Sequence, residues 1–252
     1  MTESTLSAVV TVHDEEAQLA DCLDRLRFAD EIVVALDRCT DRSKDIARRY
    51  TERLVEGAWP IEGDRRNAAI EACRGPWILE VDADERVPEA LAREIRAVAS
   101  SSRFDWHEIP VDNYIGGRLV RHGWGAYFGK AAYPGLFRKG AKSWGRDRVH
   151  PRLAFRGAEG PMLANRIEHH VDRNISDMIR RLDRYATLRA QDLRESGDIG
   201  TMGGNIRRIF SRFYKCYVAR GGYREGGYGF LVALCAGLYP ILSHLKARLE
   251  DE

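Results

Sequence analysis

The chain has 252 residues, 44% hydrophobic and 31% charged, and its five cysteines form no CxxC pair. That composition belongs to a globular protein with a real core and excludes a disordered tail, a collagen-like repeat, a zinc ribbon and a disulfide-stapled miniprotein. The net charge of +2 hides an asymmetry: residues 1–99 carry 14 Lys+Arg against 22 Asp+Glu, and residues 100–252 carry 26 against 16.

An acidic first part suits a bound cation. A basic remainder suits phosphates, acidic glycans or membrane headgroups, with a merely solvated surface as the alternative. The opening residues MTESTLSAVV lack the basic stretch of a secretory signal, so a reducing cytosol is the expected setting.

In chain order, Leu6–Val12 is a short β-branched strand, and Leu19, Leu23 and Leu26 then recur at helical spacing. Glu31–Leu36 is a second buried strand, and Asp41 is placed to cap a helix carrying Ile46, Ala47 and Tyr50. Arg53–Glu56 is a weak third strand, followed by an Ala-rich helix from Gly63 to Cys73. Trp77–Val81 is a fourth strand, and Pro88 opens a helix with Leu91, Ile95 and Val98 on one face. Strand–helix alternation of this kind predicts a doubly wound α/β fold with a mostly parallel sheet.

Residues 106–155 lack a long helical period and are rich in Gly and aromatics, as expected of a loop-rich part that shapes a substrate site. Helical spacing returns at Asn174, with Ile175, Ile179, Leu182, Tyr185 and Ala186 on one face, and the Gly203-Gly204 pair is expected to break it. Beyond lies NIRRIFSRFYKCYVAR, then the apolar run Tyr228–Leu242, which contains Pro240. That run is 15 residues long, and a membrane-crossing helix needs about 20. Basic, aromatic and apolar residues so mixed suit a segment lying on an anionic membrane surface; the alternative is a helix docked on the core.

Chemistry concentrates at the strand ends. Trp77–Val81 runs directly into Asp82-Ala83-Asp84, and ligands of open α/β sheets bind outside the carboxyl ends of the strands. Two carboxylates there suit a divalent cation that neutralises a diphosphate, whereas the bland reading makes Asp84 a helix cap. The acidic loop His13-Asp14-Glu15-Glu16 follows the first strand, and Asp37 with Asp41 follows the second; each suits a nucleotide base or ribose. Gly63-Asp64-Arg65-Arg66-Asn67 opens a helix, where a guanidinium can meet a phosphate.

The segments VVTVHDEEAQLADCL, FADEIVVALDRCTDRSKDIA and GDRRNAAIEACRGPWILEVDADERV resemble the family 2 glycosyltransferases, and most closely the branch of the lipopolysaccharide core β-1,4-glucosyltransferases. This chain departs from the family pattern with His13-Asp14 in place of an aromatic residue and Asn, and with Asp37-Arg38-Cys39-Thr40-Asp41 in place of Asp-Ser-x-Ser-x-Asp. The looser likeness continues through Arg121–Leu153, where Pro151 replaces a Glu, and through Ile167–His170 and Gly221–Gly229.

The resemblance implies a GT-A fold over residues 1–170, with a nucleotide-sugar half (1–102) and an acceptor half (103–170), followed by a helical extension (171–252). It implies an inverting hexosyltransferase that uses a UDP-sugar, with glucose the expected sugar, and a lipid-linked envelope glycan such as lipopolysaccharide core as acceptor. A polyprenyl phosphate is the alternative acceptor. Val12, His13, Glu15, Asp37, Arg66, Asp82 and Ala83 are then expected at the nucleotide sugar, and Asp82 with Asp84 at Mg²⁺ or Mn²⁺. Asp147 is the expected general base, His150 is second, and His169 and His170 are further metal or phosphate contacts.

The expected location is the cytoplasmic face of a bacterial inner membrane, with peripheral contact to anionic lipid. A nucleotidyltransferase is disfavoured because the first loop, HDEEAQ, is acidic and lacks Gly. Nucleic-acid binding is not expected, since the basic residues sit on no recognisable reader fold. A non-catalytic sugar-nucleotide or membrane-binding module is the remaining competitor.

Overall fold

A computed structural model describes residues 6–125, 128–147 and 152–250. They divide into two compact units: residues 6–111, 132–147 and 152–169 form the first, and residues 112–125, 128–131 and 170–250 the second.

The first unit begins with β1 (Leu6–Val12), α1 (Leu19–Asp24), β2 (Glu31–Asp37), α2 (Ser43–Ala47), β3 (Leu54–Gly57), α3 (Glu62–Ala72) and β4 (Trp77–Asp82). After it come β5 (Glu85–Arg86), α4 (Glu89–Ser101) and β6 (Trp106–Ile115). The chain then passes through β7 (Arg118–Val120), β8 (Ala132–Arg138), β9 (Lys142–Trp144), β10 (Leu153–Phe155) and β11 (Ile167–Asp172). The sheet order is β3-β2-β1-β4-β8-β6-β11-β5, parallel from β3 to β4 and antiparallel at β4–β8 and β8–β6.

The order itself places the site. From β1 the chain winds outward to β2 and β3, then returns through α3 to β4 on the other side of β1. Winding therefore reverses between β1 and β4, where Thr11 pairs with Asp82, and the crevice outside that switch point is where such sheets bind ligands. Both faces of the parallel part are covered, which explains its nearly continuous apolar strands. On β1, Leu6, Ala8, Val10 and Val12 join Leu19, Leu23, Leu91 and Ile95 on one face. Val9 joins Ala69, Ile70 and Cys73 on the other.

In the second unit β7 pairs with the end of β6. Three helices follow: α5 (Ile175–Ser196), α6 (Met202–Tyr214) and α7 (Gly227–Leu249). Asn174 caps α5 by accepting the Asp177 amide, and Gly197 closes it in the left-handed conformation (φ 70°). The interruption falls at residues 197–201, ahead of the expected glycine pair. Thr201 accepts the Gly204 amide, and Gly203-Gly204 ride in the first turn of α6. α7 is longer than its apolar run and includes Pro240. By length and composition it is apolar enough to cross a membrane, yet most of it is buried, packed on both α5 and α6.

α2, by contrast, is shorter than expected, ending at Ala47 before Tyr50; Arg42 is its N-cap residue, and Asp41, one residue earlier, accepts the Ser43 amide through Oδ1 at 2.9 Å.

Candidate active site at the carboxyl edge of the sheet

The loops after β1 and β2 are laced together. His13 Nδ1 donates to the Asp37 carbonyl at 2.7 Å. The Asp14 carboxylate accepts the backbone amides of Thr40 (2.6 Å) and Asp41 (3.2 Å), which hold its pKa below the ordinary aspartate value. Glu15 donates its amide to Ser43 Oγ, and Glu16 donates its amide to Asp41.

Asp14 and Arg38 both sit at positive φ (54° and 50°), immediately past the sheet edge. Arg38 is uncommon there, and it is held by two bonds to Asp37 (3.0 and 3.1 Å) and one to the Trp59 carbonyl (3.0 Å). Asp37 itself is buried. Burial alone would raise its pKa, but Arg38, the Trp59 amide and Arg65 outweigh that and keep it below the usual carboxylate value. Ligand atoms of Asp14, Cys39 and Asp41 also lie within 4.8 Å of one another. Asp14 is already consumed there by amides, so this group acts as a staple between loops.

The Asp82-Ala83-Asp84 turn rests on a buried ionic network. Glu80, on β4, is fully enclosed between Arg66 (2.8 Å) and Lys142 (2.6 Å), with Trp144 Nε1 at 3.2 Å. Burial pushes Glu80 up, but two cations overcome it and its pKa falls. Burial pushes Lys142 down, and its single carboxylate partner does not compensate. Arg66 also pairs with Glu62 (2.7 Å) and Asp82 (2.9 Å), and its guanidinium lies 4.7 Å from the Trp144 ring centroid. Arg86 clips the turn to the α1 region, donating to the Ala83 and Gln18 carbonyls (both 3.0 Å) and pairing with Asp21. The buried Tyr133 hydroxyl lies 2.9 Å from the Glu80 carbonyl and 3.2 Å from Glu85, which accepts the Asp82 amide.

The expected site residues are thus distributed as follows. Val12, His13, Glu15, Asp37, Asp82, Ala83 and Asp84 belong to the strand ends and loops at one edge of the parallel sheet. Val12 and Ala83 are buried in the hydrophobic core, so their side chains do not grip a ligand.

Arg66 is committed to three carboxylates in place of an open anion site. Arg65 is less committed: it reaches Asp37 at 3.4 Å, and its buried Nε has no hydrogen-bond partner among the described residues. The adjacent histidines diverge, as alternation along a strand requires. His169 Nε2 lies 3.2 Å from Asp84 Oδ2, whereas His170 stacks on Tyr114 with centroids 5.2 Å apart. Asp147 is half-exposed and accepts the Arg152 amide (3.3 Å) and Nε (3.4 Å), chiefly the amide holding its pKa down. His150 lies outside the described residues.

Lys142, Trp144 and Tyr133 escape sequence reasoning. The one visible signal was Glu80, a charge interrupting an apolar strand.

Comparison with known proteins identifies the family. Residues 7–132 match the model of Glycosyl transferase family 2. The chain is 25% identical over 258 residues to the lipopolysaccharide core biosynthesis glycosyltransferase LpsC of Rhizobium meliloti, covering 96% of this chain and 91% of that one. It is 35% identical over 104 residues to the poly(ribitol-phosphate) beta-glucosyltransferase of Bacillus spizizenii, covering 35% of this chain and 16% of that one. The crystal structure of S. aureus TarS 1-349 shares the fold, with a TM-score of 0.50 at 15% identity over 94% of this chain and 81% of that one. With half its length matched by the family model, the chain belongs to glycosyl transferase family 2 and is a glycosyltransferase.

Proposed function

We propose that this glycosyltransferase moves a hexose, with glucose the first candidate, from a UDP-sugar to a lipid-linked envelope glycan such as lipopolysaccharide core, inverting the anomeric carbon. The observation that carries the donor half is the meeting of Asp84 and His169 at 3.2 Å, two residues past Asp82, which ends β4 at the sheet's switch point. A carboxylate converging with an imidazole is a donor set for a divalent cation, and the imidazole favours Mn²⁺ over Mg²⁺. Asp84 and His169 would hold the ion, with Asp82 adjoining; once bound it supplies positive charge to the departing diphosphate.

The rest falls to the chain's own groups. Asp37, His13 and Glu15 bind the nucleoside. Arg65, held at 3.4 Å by Asp37, meets the diphosphate in place of Arg66, which fixes Asp82. Asp147, kept ionised at neutral pH, accepts the proton of the acceptor hydroxyl. The acceptor rests on the likeness to the core-biosynthesis relative, and the setting proposed with it is the cytoplasmic face of a bacterial inner membrane.

Calorimetric titration with UDP tests the donor half, in Mn²⁺ and then in EDTA, on wild type, Asp84→Asn and His169→Ala. Binding that needs Mn²⁺ and weakens at least tenfold in both variants is expected. Equal affinity in EDTA would remove the metal from the reading, and no UDP binding at all would remove the donor.

A further inference from the structure

α6 and the turn of π-helix after it (Lys215–Ala219) present an apolar stripe that nothing in the second unit covers. Met202, Ile206, Phe210, Tyr214 and Val218 recur every four residues, and all are exposed, Phe210 by 71% and Tyr214 by 61%. Residues four apart form one row along a helix. Phe230 of α7, itself exposed, extends the patch by meeting Phe213 edge-on at 5.5 Å.

The stripe cannot roll inward. A Cβ at Gly237 would stand 2.8 Å from the Ile209 carbonyl, so the backbones of α6 and α7 already touch beside the stripe. The charged residues of this stretch are of one sign. Arg207, Arg208, Lys215 and Arg224 are exposed, and the sequence holds no Asp or Glu from Ile199 to Arg224.

We propose that this face seats on a lipid bilayer bearing anionic headgroups, its Phe and Tyr rings entering the headgroup boundary and its cations meeting lipid phosphates. The inference rests on the lipid-linked acceptor of the proposed function for its purpose. Its chemistry stands on the stripe and its cationic border, the pattern of helices that lie in a membrane interface.

The test is flotation of the full chain with vesicles of phosphatidylcholine containing phosphatidylglycerol, and with phosphatidylcholine alone. It is run on wild type, on Phe210→Ser with Tyr214→Ser, and on Arg207→Gln with Lys215→Gln. Wild type is expected to float with the anionic vesicles and to be released by salt. The charge variant should lose about thirtyfold in partitioning, given the usual worth of two cations near such a surface, and the aromatic variant at least tenfold.

Equal flotation of wild type and both variants overturns the proposal, as does a wild type that ignores the anionic lipid. So does a wild-type dimer by light scattering that the same variants make monomeric, since a second copy would then be the occupant. UDP affinity, measured in parallel, separates the two readings. Flotation without UDP binding removes the donor assignment alone, and UDP binding without flotation removes the membrane face alone.

Discussion

Lys142→Met probes the network beneath Asp82 most directly. The lysine side chain is fully enclosed, with Nζ 2.6 Å from Glu80 and 2.9 Å from the Pro134 carbonyl. Methionine fills nearly the same volume, so little cavity opens and the loss is mainly of charge. Removing one partner of a buried pair costs about 3–5 kcal/mol because the other charge is stranded. Glu80 keeps Arg66 at 2.8 Å and Trp144 at 3.2 Å, which places the cost near the lower end, about 3 kcal/mol. In a chain of this size that lowers the melting temperature by roughly 6–12 °C.

Thermal melts and urea midpoints at pH 7 read the effect, with Arg93→Met as control. Its pair with Glu89 is exposed on both sides and is worth at most about 1 kcal/mol. Adding Glu80→Leu to Lys142→Met should recover part of the loss, because the stranded carboxylate is removed while Arg66 keeps Glu62 and Asp82. A shift under about 2 °C in the single variant, or a double variant worse than the single, refutes the argument.

Other outcomes follow from single contacts. Asp37 has a folded pKa below its unfolded value, so its stabilisation is complete above pH about 4 and is lost as pH falls through the lowered value; Asp37→Asn should flatten the urea-midpoint profile below that point only. Gly63→Ala places a Cβ 1.8 Å from the Gly145 carbonyl and should destabilise by about 3 kcal/mol in thermal melts, by overpacking. Asn174→Ala removes the α5 cap and should cost about 1 kcal/mol by urea denaturation. Asp147→Asn should lower turnover at least a hundredfold in a UDP-release assay while leaving UDP affinity by calorimetry unchanged; full turnover in the variant would assign the base elsewhere.

What the sequence disclosed depended on range. β1 is read to the residue, because an apolar β-branched run ending in a polar cluster is a local signal, and the same holds for β4 running into Asp82. Glu80 sits in full view within that strand, but its meaning lies 62 residues on, at Lys142, in a stretch with no periodicity to announce a buried cation. Trp144 and Tyr133 are hidden for the same reason: a Gly- and aromatic-rich segment fits loops and short strands equally well. The Gly203-Gly204 pair misleads because glycine breaks a helix interior but is tolerated in a first turn, where Thr201 supplies the cap. The Asp84–His169 pairing joins residues 85 apart, through the antiparallel match of β5 with β11. Two adjacent histidines are the candidates, and strand alternation decides that His169 meets Asp84.

The two aspartates of the turn, two residues apart, keep different company. Asp82 faces Arg66, a guanidinium anchored from behind by Glu80 and Glu62, so its charge is already answered and its position fixed. Asp84 faces an imidazole, which ligates a cation only when neutral and so leaves the carboxylate's charge for the ion. Burying Glu80, Lys142 and Arg66 is costly unless all three pair, and a purely apolar layer would hold the strand as well. What the charged layer adds is a rigid partner for Asp82, aimed at the crevice edge. Interchanging the aspartates' surroundings would set Asp84 against a permanent cation, so the network beneath β4 is what leaves Asp84, and not Asp82, open for the metal role proposed above.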